Sequence, residues 1–124
     1  MSKVIVIDDE PFILMMIEDK LTRSKIDVIT LRESKNAVKL IRKELPDLII
    51  LDWMMPEING LEICRLMKED PDLNNIPIFM LTAKGQDSDE KLGFQCGVDR
   101  YITKPFSPKA LLDMVLETLG KDKS

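Results

Sequence analysis

A set of short apolar runs that do not alternate with polar residues constrains this chain more than any other feature. Val4-Ile5-Val6-Ile7, Val28-Ile29-Thr30-Leu31, Leu48-Ile49-Ile50-Leu51 and Ile76-Pro77-Ile78-Phe79-Met80-Leu81 are such runs, and Tyr101-Ile102 is a shorter one. A strand with one face in water reads as an alternation. An unbroken β-branched run suits a strand covered on both faces, as in a parallel sheet. Helix-period segments lie between the runs. Ala37, Val38, Ile41 and Leu45 share one face, and Ser34 is the expected N-cap. Leu61, Cys64 and Met67 share a face of a third helix; Leu92 and Cys96 share one on a fourth, with Gly97 as its C′ residue. Ser107 and Pro108 read as N-cap and N1 of the last helix. Its apolar face is Leu111, Leu112, Val115, Leu116 and Leu119, with Gly120 past its end. The expected architecture is α/β, a doubly wound (βα)5 fold: one open, parallel, five-stranded sheet with helices on both faces.

Size and composition fit that architecture. The 124 residues, 44% hydrophobic and 32% charged, suit one domain over residues 1–120 with a polar tail at 121–124. A domain of this size buries roughly two-thirds of its unfolded surface and needs no disulfide or metal to hold it. The longest apolar run, Phe12 to Ile17, falls far short of the ~20 residues a transmembrane helix needs. Met1-Ser2-Lys3 leads straight into the first run, so neither a signal peptide nor a membrane association is expected, and the expected location is cytoplasmic. The 18 Lys and Arg are scattered and outnumbered by 22 Asp and Glu, which argues against direct nucleic-acid binding. The chain has no histidine, which excludes a Cys/His zinc site, a histidine general base and a Ser-His-Asp triad. Cys64 and Cys96, with no CxxC pattern, read as buried thiols.

In open α/β sheets, ligands bind outside the carboxyl ends of the strands. Asp8, Asp9 and Glu10 follow the first run, Asp52 the third, Thr82 the fourth, and Thr103, Lys104 and Pro105 the fifth. The second passes into Arg32 and Glu33 and gives no comparable signal. Any one of these aspartates could merely cap a helix or turn. Together they gather like charges, which raise each other's pKa unless a cation offsets them. An all-oxygen donor set favours Mg²⁺ or Mn²⁺ over zinc, and Lys104 adds a second positive charge. A carboxylate so placed can attack phosphorus and form an acyl phosphate. Lys104 would then pair with one phosphoryl oxygen and the Thr82 hydroxyl would donate to another. No residue is placed as a strong general acid or base. The chemistry suits a group that holds phosphate rather than an enzyme that turns it over.

Four motifs, in this order, carry a family resemblance: Val4-Ile5-Val6-Ile7-Asp8-Asp9-Glu10; Asp47-Leu48-Ile49-Ile50-Leu51-Asp52-Trp53-Met54-Met55-Pro56; Met80-Leu81-Thr82-Ala83; and Tyr101-Ile102-Thr103-Lys104-Pro105-Phe106. The chain resembles the receiver domain of two-component response regulators, in particular single receivers of the chemotaxis and sporulation kind. The resemblance implies strand order 2-1-3-4-5 and a cis Lys104-Pro105 bond. It implies Asp52 as phosphoacceptor, with Mg²⁺ held by Asp8, Asp9, Asp52 and the Met54 backbone carbonyl. Thr82, Ala83 and Lys104 would contact the phosphoryl group. The donor would be a phosphohistidine on a histidine kinase or phosphotransfer protein. Thr82 and Tyr101 would then switch the face made by the fourth helix, fifth strand and last helix toward a downstream protein or output domain. The chain would act as a monomer or as a phosphorylation-dependent dimer.

Two features belong to this chain in particular. At ~100° per residue, the six apolar residues from Phe12 to Ile17 wrap more than a full turn and cannot all face a sheet. Phe12, Met15 and Met16, with Pro105 and Phe106, are the expected kinase-docking surface. Met54 and Lys84, each two residues beyond a site residue, are expected to tune hydrolysis. Met54 has no group to orient a water, so slow self-dephosphorylation follows. A haloacid-dehalogenase-type phosphatase would place an aspartate where Met54 stands. A flavodoxin-like flavin site would not tolerate Asp8-Asp9-Glu10 against phosphate. A pseudo-receiver would not need Asp9, Asp52, Thr82 and Lys104 together.

Overall fold

A computed structural model describes residues 2–83 and 96–120. Five parallel strands form one sheet: β1 (Lys3–Ile7), β2 (Asp27–Leu31), β3 (Leu48–Asp52), β4 (Ile78–Ala83) and β5 (Arg100–Lys104), in the order β2-β1-β3-β4-β5. Four helices lie among the described residues: α1 (Pro11–Thr22), α2 (Ala37–Glu44), α3 (Gly60–Lys68) and α4 (Pro108–Leu119). Of the expected helix through Leu92 and Cys96, only Cys96 lies within the described residues. Gly97 follows it with φ 107, as a C′ glycine should.

The sheet separates two cores because side chains alternate along every strand. Val4, Val6, Leu48, Ile50, Phe79 and Leu81 face α1 and α4. Ile5, Ile7, Ile49, Leu51, Ile78 and Met80 face α2 and α3. Each side is covered by helices, so β1, β3 and most of β4 are buried at successive residues. The edge strands β2 and β5 are mostly half-buried.

The last helix starts as expected: the Ser107 hydroxyl accepts from the Ala110 amide, Pro108 opens the helix, and Gly120 closes it at φ 76. Helix α2 does not. Its N-cap is Asn36, without a side-chain capping bond, and the Ser34 hydroxyl is engaged elsewhere. Leu45 does not join the buried face either. The residue before a proline is disfavoured in the helical region, so α2 stops at Glu44 and Leu45 turns left-handed at φ 46, 58% exposed. Helix α1 buries Leu14, Ile17 and Leu21, leaving Phe12 and Met15 66% and 61% exposed and Ile13 and Met16 half-buried.

Candidate functional site

The site forms where strand order reverses, at the carboxyl ends of the central strands β1 and β3, with β4 and β5 alongside. One oxygen from each of Asp8, Asp9 and Asp52 lies within 4.8 Å of the others. Asp8 and Asp52 are buried, and Asp9 is exposed at the rim. Asp8 does not cap α1, whose N-cap is Glu10. Instead its Oδ1 accepts from the Glu10 amide at 2.9 Å, which bends the chain out of β1 and leaves Oδ2 facing inward. From the far side, Lys104 at the end of β5 brings Nζ to 2.9 Å from Asp8 Oδ2, 3.4 Å from Asp52 Oδ2 and 3.9 Å from Glu10 Oε1. The Lys104-Pro105 bond is cis.

The electrostatics are under tension. Burial first, then the Asp8 charge, push the Asp52 carboxyl from 3.8 up to about 7; Lys104 and the Met54 amide, which donates to Oδ1 at 3.3 Å, pull the other way. Burial works against the Lys104 ammonium, but its bond to Asp8 and the charges of Asp52, Asp8 and Glu10 outweigh it and hold its pKa above the ordinary lysine value. Apart from the Lys104 ion pair, buried Asp8 Oδ2 accepts no hydrogen bond among the described residues. One ammonium for three carboxylates leaves negative charge unbalanced, and the donors are all oxygen. That arrangement fits a small, hard divalent cation.

Thr82 is buried at the end of β4, one residue past Leu81, the register partner of Asp52. Exposed Ala83 pairs in register with Lys104. Met54 is 59% exposed beside Asp52, while Lys84 lies outside the described residues. Tyr101 is half-buried in β5, and its ring centroid lies 6.4 Å from that of Trp53. Pro105 is exposed and Phe106 half-buried, at the same sheet edge as the start of α1.

Three residues near the site carry contacts that sequence reading did not assign. Trp53 is buried against Tyr101. Gly60 opens α3 so close to β3 that a Cβ there would meet the Asp52 carbonyl oxygen at 2.7 Å and Met80 Sδ at 2.9 Å. Ser34, on the connection after β2, places a buried hydroxyl against the loop after β3. A glycine immediately before the apolar helical stretch that begins at Leu61 was the available signal for Gly60; no local pattern marks the cross-loop bonds of Ser34. The thiols of Cys64, buried, and Cys96, half-buried, are free. Burial, then a bond with Cys96, hold the Cys64 thiol well above the usual range, so it is protonated and inert.

The response regulator receiver domain pattern matches residues 4–116. The alkaline phosphatase synthesis transcriptional regulatory protein PhoP of Bacillus subtilis is 43% identical over 108 residues, 87% of this chain and 44% of that protein. The phosphate regulon transcriptional regulatory protein PhoB of Rhizobium meliloti is 35% identical over 123 residues, 99% of this chain and 54% of that protein. The crystal structure of the Vibrio cholerae chemotaxis response regulator CheY4 superposes with a TM-score of 0.88 at 28% identity, covering 95% of this chain and 98% of that one. The chain belongs to the response regulator receiver domain family. It is a signalling domain of the two-component type, and it spans about half the length of the transcriptional regulators named above. Likeness to a chemotaxis receiver thus holds for the fold, while these two sequence relatives are transcriptional regulators of the PhoP and PhoB type. Among the described residues, no helix is long and apolar enough to cross a membrane.

Proposed function

We propose that Asp52 is the phosphoacceptor of this receiver and that Mg²⁺ supports the transfer. The observation that carries this reading is the position of Lys104 Nζ, in contact with both Asp8 and Asp52 opposite three converging carboxylate oxygens. An Asp52 carboxylate oxygen attacks the phosphorus of a partner's phosphohistidine, the phosphorus–nitrogen bond breaks, and the imidazole leaves with that electron pair. Asp8, Asp9, Asp52 and the Met54 carbonyl would hold Mg²⁺, which neutralises phosphoryl oxygens; Mn²⁺ has the same donor preference. Lys104 pairs with another phosphoryl oxygen, and the Thr82 hydroxyl and Ala83 backbone bond the remainder. With no acid or base to drive turnover, the domain stores the phosphoryl group rather than acting as an enzyme on other molecules.

Thr82, drawn inward, makes room for Tyr101, and the face bearing β5 and α4 shifts between two populated arrangements. Its target is a downstream protein or output domain, with a transcriptional output favoured by the relatives' names. This acidic chain does not itself hold nucleic acid, and it works as a monomer or phosphorylation-dependent dimer in the cytoplasm. Residues 1–120 form the receiver. The histidine kinase or phosphotransfer protein docks on exposed Phe12 and Met15, with Met16, Pro105 and Phe106 beside them. Incubation with acetyl phosphate tests the reading. Intact mass should rise by one phosphoryl group with Mg²⁺, and should not rise with EDTA or in Asp52→Ala. Labelling that survives in Asp52→Ala would refute the assignment.

A further inference from the structure

Ser34 lies on the connection between β2 and α2, 2% exposed, and its hydroxyl crosses to a different loop. Oγ donates to the Pro56 carbonyl at 2.7 Å and accepts from the Ile58 amide at 3.1 Å. That loop connects β3 to α3 and carries Met54. Its ends are pinned by the Trp53 amide on the Leu81 carbonyl and the Gly60 amide on the Trp53 carbonyl, each at 2.9 Å. Met55 seats its side chain in the core, but Met54, Pro56 and Glu57 are exposed, and Glu57 is left-handed at φ 71. A non-glycine residue holds that conformation only where its surroundings enforce it. The Ile58 amide also reaches the Pro56 carbonyl at 2.9 Å, so the turn closes on itself around Glu57 and the Ser34 hydroxyl ties it to a neighbouring element. A buried hydroxyl is costly unless bonded, and here it is bonded twice.

We propose that Ser34 is a positioning residue for the divalent-cation site: by holding the β3–α3 loop in its binding-ready arrangement, it sets how tightly the cation is bound without touching it. The proposal rests on the Asp52 reading above and deepens it. Without the hydroxyl, the loop samples other arrangements, and the cost of ordering it is transferred to cation binding. Affinity for Mg²⁺ falls, while the reaction of the loaded site, in which Ser34 takes no part, does not change.

Trp53 is the chain's one tryptophan and directly follows Asp52 at the base of the loop, so its fluorescence should change when a cation binds. Titrating Mg²⁺ into wild type and Ser34→Ala should show the half-saturation concentration rise by roughly tenfold in the variant, the scale of lost outer-shell support. The phosphorylation rate from acetyl phosphate at saturating Mg²⁺ should be unchanged. Ser34→Thr, which keeps the hydroxyl, should regain most of the affinity. In the wild type, the Ile58 amide should exchange slowly with deuterium, a measurement that stands even if Ser34→Ala does not fold. Equal half-saturation in wild type and Ser34→Ala, a rate loss that persists at saturation, no rescue by Thr, or an unprotected Ile58 amide would each overturn the proposal. If the wild type neither responds to Mg²⁺ nor takes up phosphate, the Asp52 reading fails and this one with it. If it does both and Ser34→Ala matches it, only the role of Ser34 fails.

Discussion

Replacing Asp52 by Asn should stabilise the cation-free protein, and more so as pH rises. The carboxylate side chain is 7% exposed, and burial followed by the Asp8 charge lift its pKa from 3.8 to about 7. Between those values the unfolded chain has ionised Asp52 while the native state keeps it protonated. The native state therefore binds more protons, and stability falls as pH rises from 3.8 to about 7. Each pK unit is worth a little over 1 kcal/mol, so the whole displacement caps the cost at about 4 kcal/mol above neutrality. The variant also gives up the Lys104 contact, and the expected gain near pH 8 is about 2–3 kcal/mol. For a domain of this size, that gain is a rise in melting temperature on the order of 10 °C. Circular-dichroism melts in EDTA should show the two proteins nearly coincident at about pH 4 and well separated at about pH 8. Mg²⁺ should then raise the wild-type melting temperature and close much of the gap, because a ligand held by the native state stabilises it by mass action. An equal separation at both pH values, or no stabilisation at the higher one, would show that the Asp52 charge is not the source of the strain.

Other perturbations test other parts of the same site. Gly60→Ala forces a Cβ against the Asp52 carbonyl oxygen, so it should cost about 1–3 kcal/mol in urea melts and slow phosphorylation by displacing Asp52. Met54→Asn puts an amide beside Asp52 where exposed Met54 offers none, and loss of label from phosphorylated protein should accelerate; equal or slower loss would contradict the water-positioning reading. Phe12→Ala with Met15→Ala removes exposed apolar surface only, so phosphotransfer from a partner kinase should weaken while uptake from acetyl phosphate and thermal stability stay unchanged. Asp9→Asn keeps the shape of the site but removes one rim charge, and Trp53 fluorescence should show at least tenfold weaker Mg²⁺ binding.

What could be read from sequence, and what could not, divides along a physical line. The strands β1, β3 and β4 were legible because a strand buried on both faces must be apolar at every residue, and Val4–Ile7 and Leu48–Leu51 are. Asp8, Asp9, Asp52, Thr82 and Lys104 were legible for the converse reason: a polar residue at the end of an apolar run stands out, and chain direction alone sends all five to one edge of a parallel sheet. Ser34 and Leu45 were misread because both followed local rules that tertiary structure overrode. A serine ahead of an apolar helix is an ordinary cap until another loop offers its hydroxyl better partners, and Leu45 keeps the helical period although Pro46 ends the helix first. Cross-loop bonds such as Ser34 to Pro56 join residues 22 apart in the chain and leave no periodic trace. The charged groups of the site therefore announce themselves, while the groups that hold them in place do not. Asp52 sits in surroundings that resist its own ionisation, so a cation or a phosphoryl group can act on the fold with leverage that an exposed carboxylate would lack. That leverage reaches a loop only if the loop is tied to the rest of the structure, and around Asp52 the ties that do so are Gly60, Trp53 and Ser34.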